Sequence, residues 1–135
     1  MATSPRLTQI RAPIAVGELI DKITILEIKA ERITDAAKLR NVGNELAQLN
    51  AIKRDAGLDT PAMAPYARDL KDLNMMLWDI EDAIRDLEAR KDFGPRFITL
   101  ARSVYQTNDR RARTKNAINA AFGSSIVEEK SYKDY

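Results

Sequence analysis

Apolar side chains recur in a seven-residue repeat through the middle of the chain. The repeat consists of Tyr66, Leu70, Leu73, Leu77, Ile80, Ile84 and Leu87. Spacings that alternate between four and three residues bring these positions to one face of an α-helix, whereas a strand requires a period of two. The repeat is typical of a coiled-coil seam, and it predicts a long helix that ends near Phe93.

Three further segments have helical spacing. The first begins near Val16 or Gly17, the second covers about residues 35–56, and the last runs from Pro95 to Phe122. Asp35 is suited to cap the second helix at its N-terminus, while Gly57 and Gly123 are placed to end the second and the last. Pro61 and Pro65 indicate a connecting loop before the long helix.

These segments predict an all-α fold, a four-helix antiparallel bundle. Residues 1–15 are expected to form an extended arm, in which Leu7-Thr8-Gln9-Ile10 alternates weakly, and residues 124–135 a C-terminal tail that acts as a strap. A chain of 135 residues is long enough for one core, so we expect a single helical domain over residues 1–135.

The amino-acid composition excludes several kinds of catalytic and metal-binding site. The chain has no Cys and no His, which removes disulfides, thiolate nucleophiles and imidazole catalysis, and it leaves only carboxylates as metal ligands. We predict neither a metal nor a cofactor. The net charge is +2, and no apolar stretch approaches the roughly 20 residues that span a bilayer. The N-terminus lacks a signal-peptide pattern, so we expect a cytoplasmic protein that does not bind membranes.

The last helix changes character halfway along. Its apolar face, which includes Ala101, continues through Asn108, Lys115 and Asn119 without losing the helical period. Polar groups on a core-facing stripe are costly unless they are paired, so they indicate a buried network or a binding site. Residues 96–115 also hold six basic side chains against one acidic side chain. The helix is therefore an electropositive element in a nearly neutral protein.

Two carboxylates are expected to meet this helix inside the bundle, Glu27 from the first helix and Glu81 from the third. The candidate ligand-binding residues are Glu27, Glu81, Arg102, Tyr105, Asn108, Asp109, Arg110, Lys115 and Asn119. They form either a buried salt-bridge network that fixes the packing of the helices, or a mixed-charge pocket between helices for a small molecule.

Three other functions fit the sequence less well. Acidic residues on the first and third helices resemble the magnesium sites of all-α nucleotide pyrophosphohydrolases, but most of them interleave with basic residues as surface ion pairs do. A chorismate-mutase-type pocket would need only Arg, Lys and Glu, yet Lys22 and Lys29 stand where that family has arginines. Nucleic-acid binding would rest on the basic last helix alone, without a recognisable motif.

Four stretches of the sequence together resemble a known family. They are the stretches 16–29, 77–85, 97–112 and 123–132. Together they resemble a family of short bacterial proteins of unknown function. The resemblance implies a loose association with surface-polysaccharide genes and offers no catalytic residue. It also implies that the polar residues of the helices form one constellation, with the tail from Glu128 to Tyr132 folded onto it.

The sequence therefore favours a non-enzymatic accessory or interaction protein, and the family resemblance implies a link to surface-polysaccharide biosynthesis. The alternative is a binder or enzyme for an anionic metabolite, such as a nucleotide or a sugar phosphate, so catalysis is left open. Among partners, we expect a homo-oligomer, because Ile25 and Ile28 lie on the second face of the first helix. A protein partner and an anionic small molecule remain open, and nucleic acid is disfavoured.

Overall fold

A computed structural model describes residues 9–135 of the chain. It has four helices, α1 (Val16–Arg32), α2 (Ala36–Asp55), α3 (Ala64–Ala89) and α4 (Pro95–Ala121), and no strand occurs within those residues. The prediction of an all-α fold is confirmed. In the same region, no helix combines the length and the apolarity that crossing a membrane requires.

The helix ends follow the local chemistry that the sequence indicated. The side chain of Asp35 accepts a hydrogen bond from the backbone N–H of Lys38 at 2.9 Å, which caps α2. Gly57 and Gly123 have φ angles of 73° and 66°, in the left-handed region that glycine enters without strain. Each therefore ends its helix within two residues of the predicted position.

The central element of the packing is α1, which contacts each of the other three helices. By contrast, α2 contacts only α1, so the arrangement is more open than a closed four-helix bundle. Glu18 of α1 pairs with Lys115 of α4, and Asp21 pairs with Arg111. Residue numbers rise along α1 as they fall along α4, so these two helices run in opposite directions.

The core lies at the end of the molecule where α1 begins, α3 begins and α4 ends. Ile20, Met63, Leu70 and Ile118 are its buried members. The ring of Tyr66 packs edge-on against Phe122, with ring centroids 6.1 Å apart. This core fixes the first two turns of α1 against the last turns of α4.

The face of α1 that motivates the dimer prediction is partly covered within the chain itself. Ile28 is 1% exposed, and Ile25 is half-buried. Self-association thus stays a prediction, and Ile28 no longer supports it. Residues 9–15 and 124–135 have no helix or strand, whereas Leu7 and Thr8 of the predicted arm lie outside the described residues.

Candidate functional site

The first turn of α1 lies against the last third of α4, where Gly17 allows a close approach. A Cβ atom at this position would lie 3.0 Å from Oδ1 of Asn119 and still closer to the backbone carbonyl oxygen of Lys115. The N–H of Gly17 donates to Oδ1 of Asn119 at 2.7 Å, and the N–H of Val16 donates to Oγ of Ser124 at 3.1 Å. Side chains distant in sequence therefore cap α1.

One turn further along α1, Asp21 is a carboxylate that is only 1% exposed. It accepts hydrogen bonds from Nε of Arg111 at 2.9 Å, from a second nitrogen of the same guanidinium, and from Nδ2 of Asn74 at 2.9 Å. The same Asn74 nitrogen also donates to Oγ1 of Thr24 at 3.0 Å. Because a buried charge is tolerated only when it is paired and hydrogen-bonded, these contacts account for the position of Asp21.

Lys115 connects this buried group to the surface. Its Nζ lies 2.6 Å from Glu18, 3.2 Å from Glu128 and 3.8 Å from Asp21. Burial lowers the pKa of Lys115, but the hydrogen bond to Glu18 and the nearby carboxylates outweigh burial and raise the pKa above its ordinary value. The hydrogen bond to Asp21 likewise raises the pKa of Arg111. Both side chains therefore stay cationic.

The C-terminal strap, residues 124–135, runs back along α4 next to these cations. Its Glu128 binds Lys115 and also lies 2.6 Å from Lys130 on the strap itself. At the other end, the hydroxyl of Tyr135 donates to Asp109 at 2.5 Å. The ring of Tyr135 lies edge-on to Tyr105, with centroids 5.0 Å apart. Side chains at two points thus attach the strap to α4.

Between those points, the strap and α4 border a cavity of about 570 Å³ that is open to solvent, which we call the strap cavity. It is lined by Val104, Tyr105, Asn108, Asp109, Arg111, Ala112, Lys115, Lys130, Tyr132, Lys133 and Tyr135. The lining contains four cationic side chains, three tyrosines and one carboxylate. Its composition favours a ligand with negative charge.

Five of the nine candidate residues lie at the cavity or at the contact between α1 and α4. Tyr105, Asn108, Asp109 and Lys115 line the cavity, while Asn119 is buried against Gly17. Asn108 is exposed rather than part of a buried seam.

The other four lie elsewhere. Arg102 is exposed, and Arg110 lies in a separate groove between α3 and α4. The prediction that Glu27 and Glu81 meet the last helix is wrong. Glu27 lies 4.0 Å from Lys71 of α3, and Glu81 is exposed and pairs with Arg85 of its own helix at 3.5 Å. Both carboxylates lie on faces of α1 and α3 from which solvent is accessible, so surface lysine and arginine satisfy them.

Sequence reasoning missed the central group. Asp21 is one of the acidic residues of the first and third helices that interleave with basic residues, a pattern that indicates surface ion pairs instead of a buried carboxylate. A usable signal was the spacing of Gly17, Asp21 and Thr24, which puts a glycine and two polar residues on one helical face with Ile28. A small residue on such a face permits a close helix contact, which buries the neighbouring polar groups.

No curated protein and no solved structure matches the chain. A family model covers nearly the whole chain, including both regions of the site, residues 16–32 and 95–135. Because residues 10–135 match the family of unknown function DUF6165, the chain belongs to that family.

Proposed function

We propose that the protein is a non-enzymatic accessory protein that binds an anionic small molecule in the strap cavity. The observation that carries the proposal is the charge of the lining, where Arg111, Lys115, Lys130 and Lys133 face one carboxylate, Asp109. A volume of about 570 Å³ falls within the range of roughly 300–1,000 Å³ typical of small-molecule sites.

The four cations differ in how far the protein already neutralises them. Arg111 and Lys115 are bound to carboxylates of α1, and Lys130 is bound to Glu128. Among residues 9–135, no side-chain carboxylate lies within 4.0 Å of the Lys133 ammonium. An anion in the cavity would therefore give Lys133 a partner. It would also accept hydrogen bonds from the partly exposed donors of Arg111, Lys115 and Lys130.

A thermal-shift screen tests the proposal. The panel contains nucleotides, sugar phosphates, sugar nucleotides and carboxylates, each with and without Mg²⁺. A ligand at 100 times its dissociation constant should stabilise the native state by about 2.7 kcal/mol. We expect Lys133→Met to weaken a hit several-fold without lowering the melting temperature of the free protein. The matched control is Lys38→Met on α2, a helix that does not contact α4.

If every member of the panel failed to stabilise the protein, the proposal would be contradicted. Equal losses of ligand affinity in the Lys133→Met and Lys38→Met variants would contradict it too. Turnover of a hit would make the protein an enzyme, contrary to the proposal. Sugar nucleotides belong in the panel because the family resemblance implies an association with surface polysaccharides. That association and the cytoplasmic location stay predictions.

A further inference from the structure

The strap has a side chain of its own at each end of the cavity: Glu128 binds two lysines of the lining, and Tyr135 belongs to the lining itself. At one end, the Glu128 carboxylate lies 3.2 Å from Lys115 and 2.6 Å from Lys130. At the other end, the Tyr135 ring lies against the ring of Tyr105. The first contact shows that Lys115 and Lys130 together bind an oxyanion. The second shows that Tyr105 packs against an aromatic ring, and with that contact in place Tyr105 is still 43% exposed.

These two ends are separated along α4. Tyr105 and Lys115 are ten residues apart, which corresponds to about 15 Å along the helix axis. Arg111 and Ala112 line the cavity between them. A ligand that uses both ends must therefore carry an aromatic ring at one end of a spacer and an acidic group at the other. A compact sugar phosphate has no aromatic ring for Tyr105, and a simple aromatic acid has no spacer.

We infer that the ligand of the strap cavity is a nucleoside diphosphate, with its base on the tyrosine end and its phosphates in the place of Glu128 on Lys115 and Lys130. Base, sugar and phosphates supply the ring, the spacer and the charge in that order. The inference rests on the proposed function, and it adds the class of ligand and the group that the ligand displaces.

Glu128 is the exchangeable partner of Lys115. Glu18 and Asp21 belong to α1, and Asp21 is buried, so packing holds both in place. The side chain of Glu128 is 43% exposed and belongs to a segment without regular secondary structure. An incoming phosphate therefore competes with Glu128 and leaves the contacts of Lys115 with α1 intact. Displaced from Lys115, Glu128 no longer attaches this end of the strap.

Calorimetric titration of the full chain tests the ligand class with four probes. These are uridine 5′-diphosphate, adenosine 5′-diphosphate, inorganic pyrophosphate and ribose 5-phosphate. We expect at least one nucleoside diphosphate to bind about fivefold or more tightly than pyrophosphate, because stacking of a base on an aromatic side chain contributes at least that much. Ribose 5-phosphate should bind no better than pyrophosphate.

Two variants separate the two ends. Tyr105→Leu should reduce the advantage of the nucleotide over pyrophosphate to less than twofold while pyrophosphate still binds. Glu128→Gln should tighten the binding of both probes several-fold, because the internal competitor loses its charge. Glu129→Gln is the matched control, since it removes the same charge from the neighbouring exposed position and should leave both affinities within twofold. Circular dichroism of each variant verifies that the helices form.

Equal binding of nucleotides and pyrophosphate would overturn the inference but leave the proposed function standing. Failure of all four probes, together with failure of the wider panel, would remove both. If a probe that binds the unmodified protein bound the Glu128→Gln variant with the same affinity, the phosphates would not bind on Lys115 and Lys130. That result would also overturn the inference.

Discussion

Helix α4 takes part in two polar regions that use the same kinds of side chain in opposite ways. On the side facing α1, Arg111 and Lys115 meet Asp21, which is 1% exposed and fixed on a helix. On the side facing the strap, Lys115 meets Glu128, which is 43% exposed and has no helix to hold it. Both contacts join a lysine or arginine to a carboxylate, so the chemistry of the groups does not distinguish the two regions.

Burial distinguishes them. Removal of one partner from a buried ion pair costs about 3–5 kcal/mol, because the remaining charge has no water to replace the lost contact. Exposed pairs contribute about 0.2–1 kcal/mol, since water solvates either group once the pair separates. The contact with α1 therefore stabilises one arrangement of helices, whereas the contact with the strap is weak enough for a ligand to replace. We expect mutations on the two sides to differ accordingly.

The largest effect is expected for Asp21→Ala. The substitution leaves the Arg111 guanidinium and the Asn74 amide without their shared acceptor. The side chain of Arg111 is 27% exposed and can be partly rehydrated, so we expect a loss near the lower end of the buried range, about 3 kcal/mol in the free energy of unfolding. Urea denaturation measures this change.

Glu81→Ala is the control for that experiment. Glu81 is exposed, and among residues 9–135 its one ion pair is with Arg85 of the same helix, so its removal should change stability by less than about 0.5 kcal/mol. If Asp21→Ala cost no more than the control, the contact between α1 and α4 would not be the structural region that we describe.

A smaller effect is expected for Gly17→Ala, because α1 and α4 would have to separate to admit the new methyl group. Overpacking of this kind costs about 1–3 kcal/mol. Gly43 on α2 provides the matched control, since nothing lies within 4 Å of a Cβ added there. In that exposed helical position, alanine should instead stabilise the protein by about 0.5–1 kcal/mol. Thermal denaturation measures both changes in stability. If Gly17→Ala and Gly43→Ala shifted the stability in the same direction, the packing description would be contradicted.

The sequence allowed the helices to be predicted better than the site. Asp35, Gly57 and Gly123 act on the backbone within a few residues, so their effect is visible in the local pattern. The partner of Asp21 is 90 residues away, and it depends on the close approach at Gly17. Helical periodicity identifies the face on which a residue lies, but it does not identify the helix that covers this face. For that reason, the pattern assigns Glu27 and Glu81 to the wrong partner helix, and Lys115, which lies on the predicted face, pairs with Glu18 instead.

The smallest effect concerns pH and is confined to the strap. Hydrogen bonds from Lys130 and Lys115 lower the pKa of Glu128 below the ordinary 4.5, so this attachment is fully present above pH 4.5 and is lost as the pH falls through the lowered value. The hydrogen bond to Asp109 raises the pKa of Tyr135 above the ordinary 10.0. That attachment is fully present below pH 10.0 and is lost as the pH rises through the raised value.

The two ends of the strap should therefore detach at opposite ends of the pH range. The methyl signals of Ile126 and Val127 in NMR spectra report on the Glu128 end, and the ring signals of Tyr135 report on the other. Glu128→Gln should abolish the acidic transition and preserve the alkaline one, and Tyr135→Phe should do the reverse. Circular dichroism has to show that the helices persist through both transitions. Simultaneous movement of both sets of signals in either transition would mean that the strap detaches as one unit. In that case, a ligand that displaces Glu128 would release the whole strap, and the two attachments could not be treated as independent.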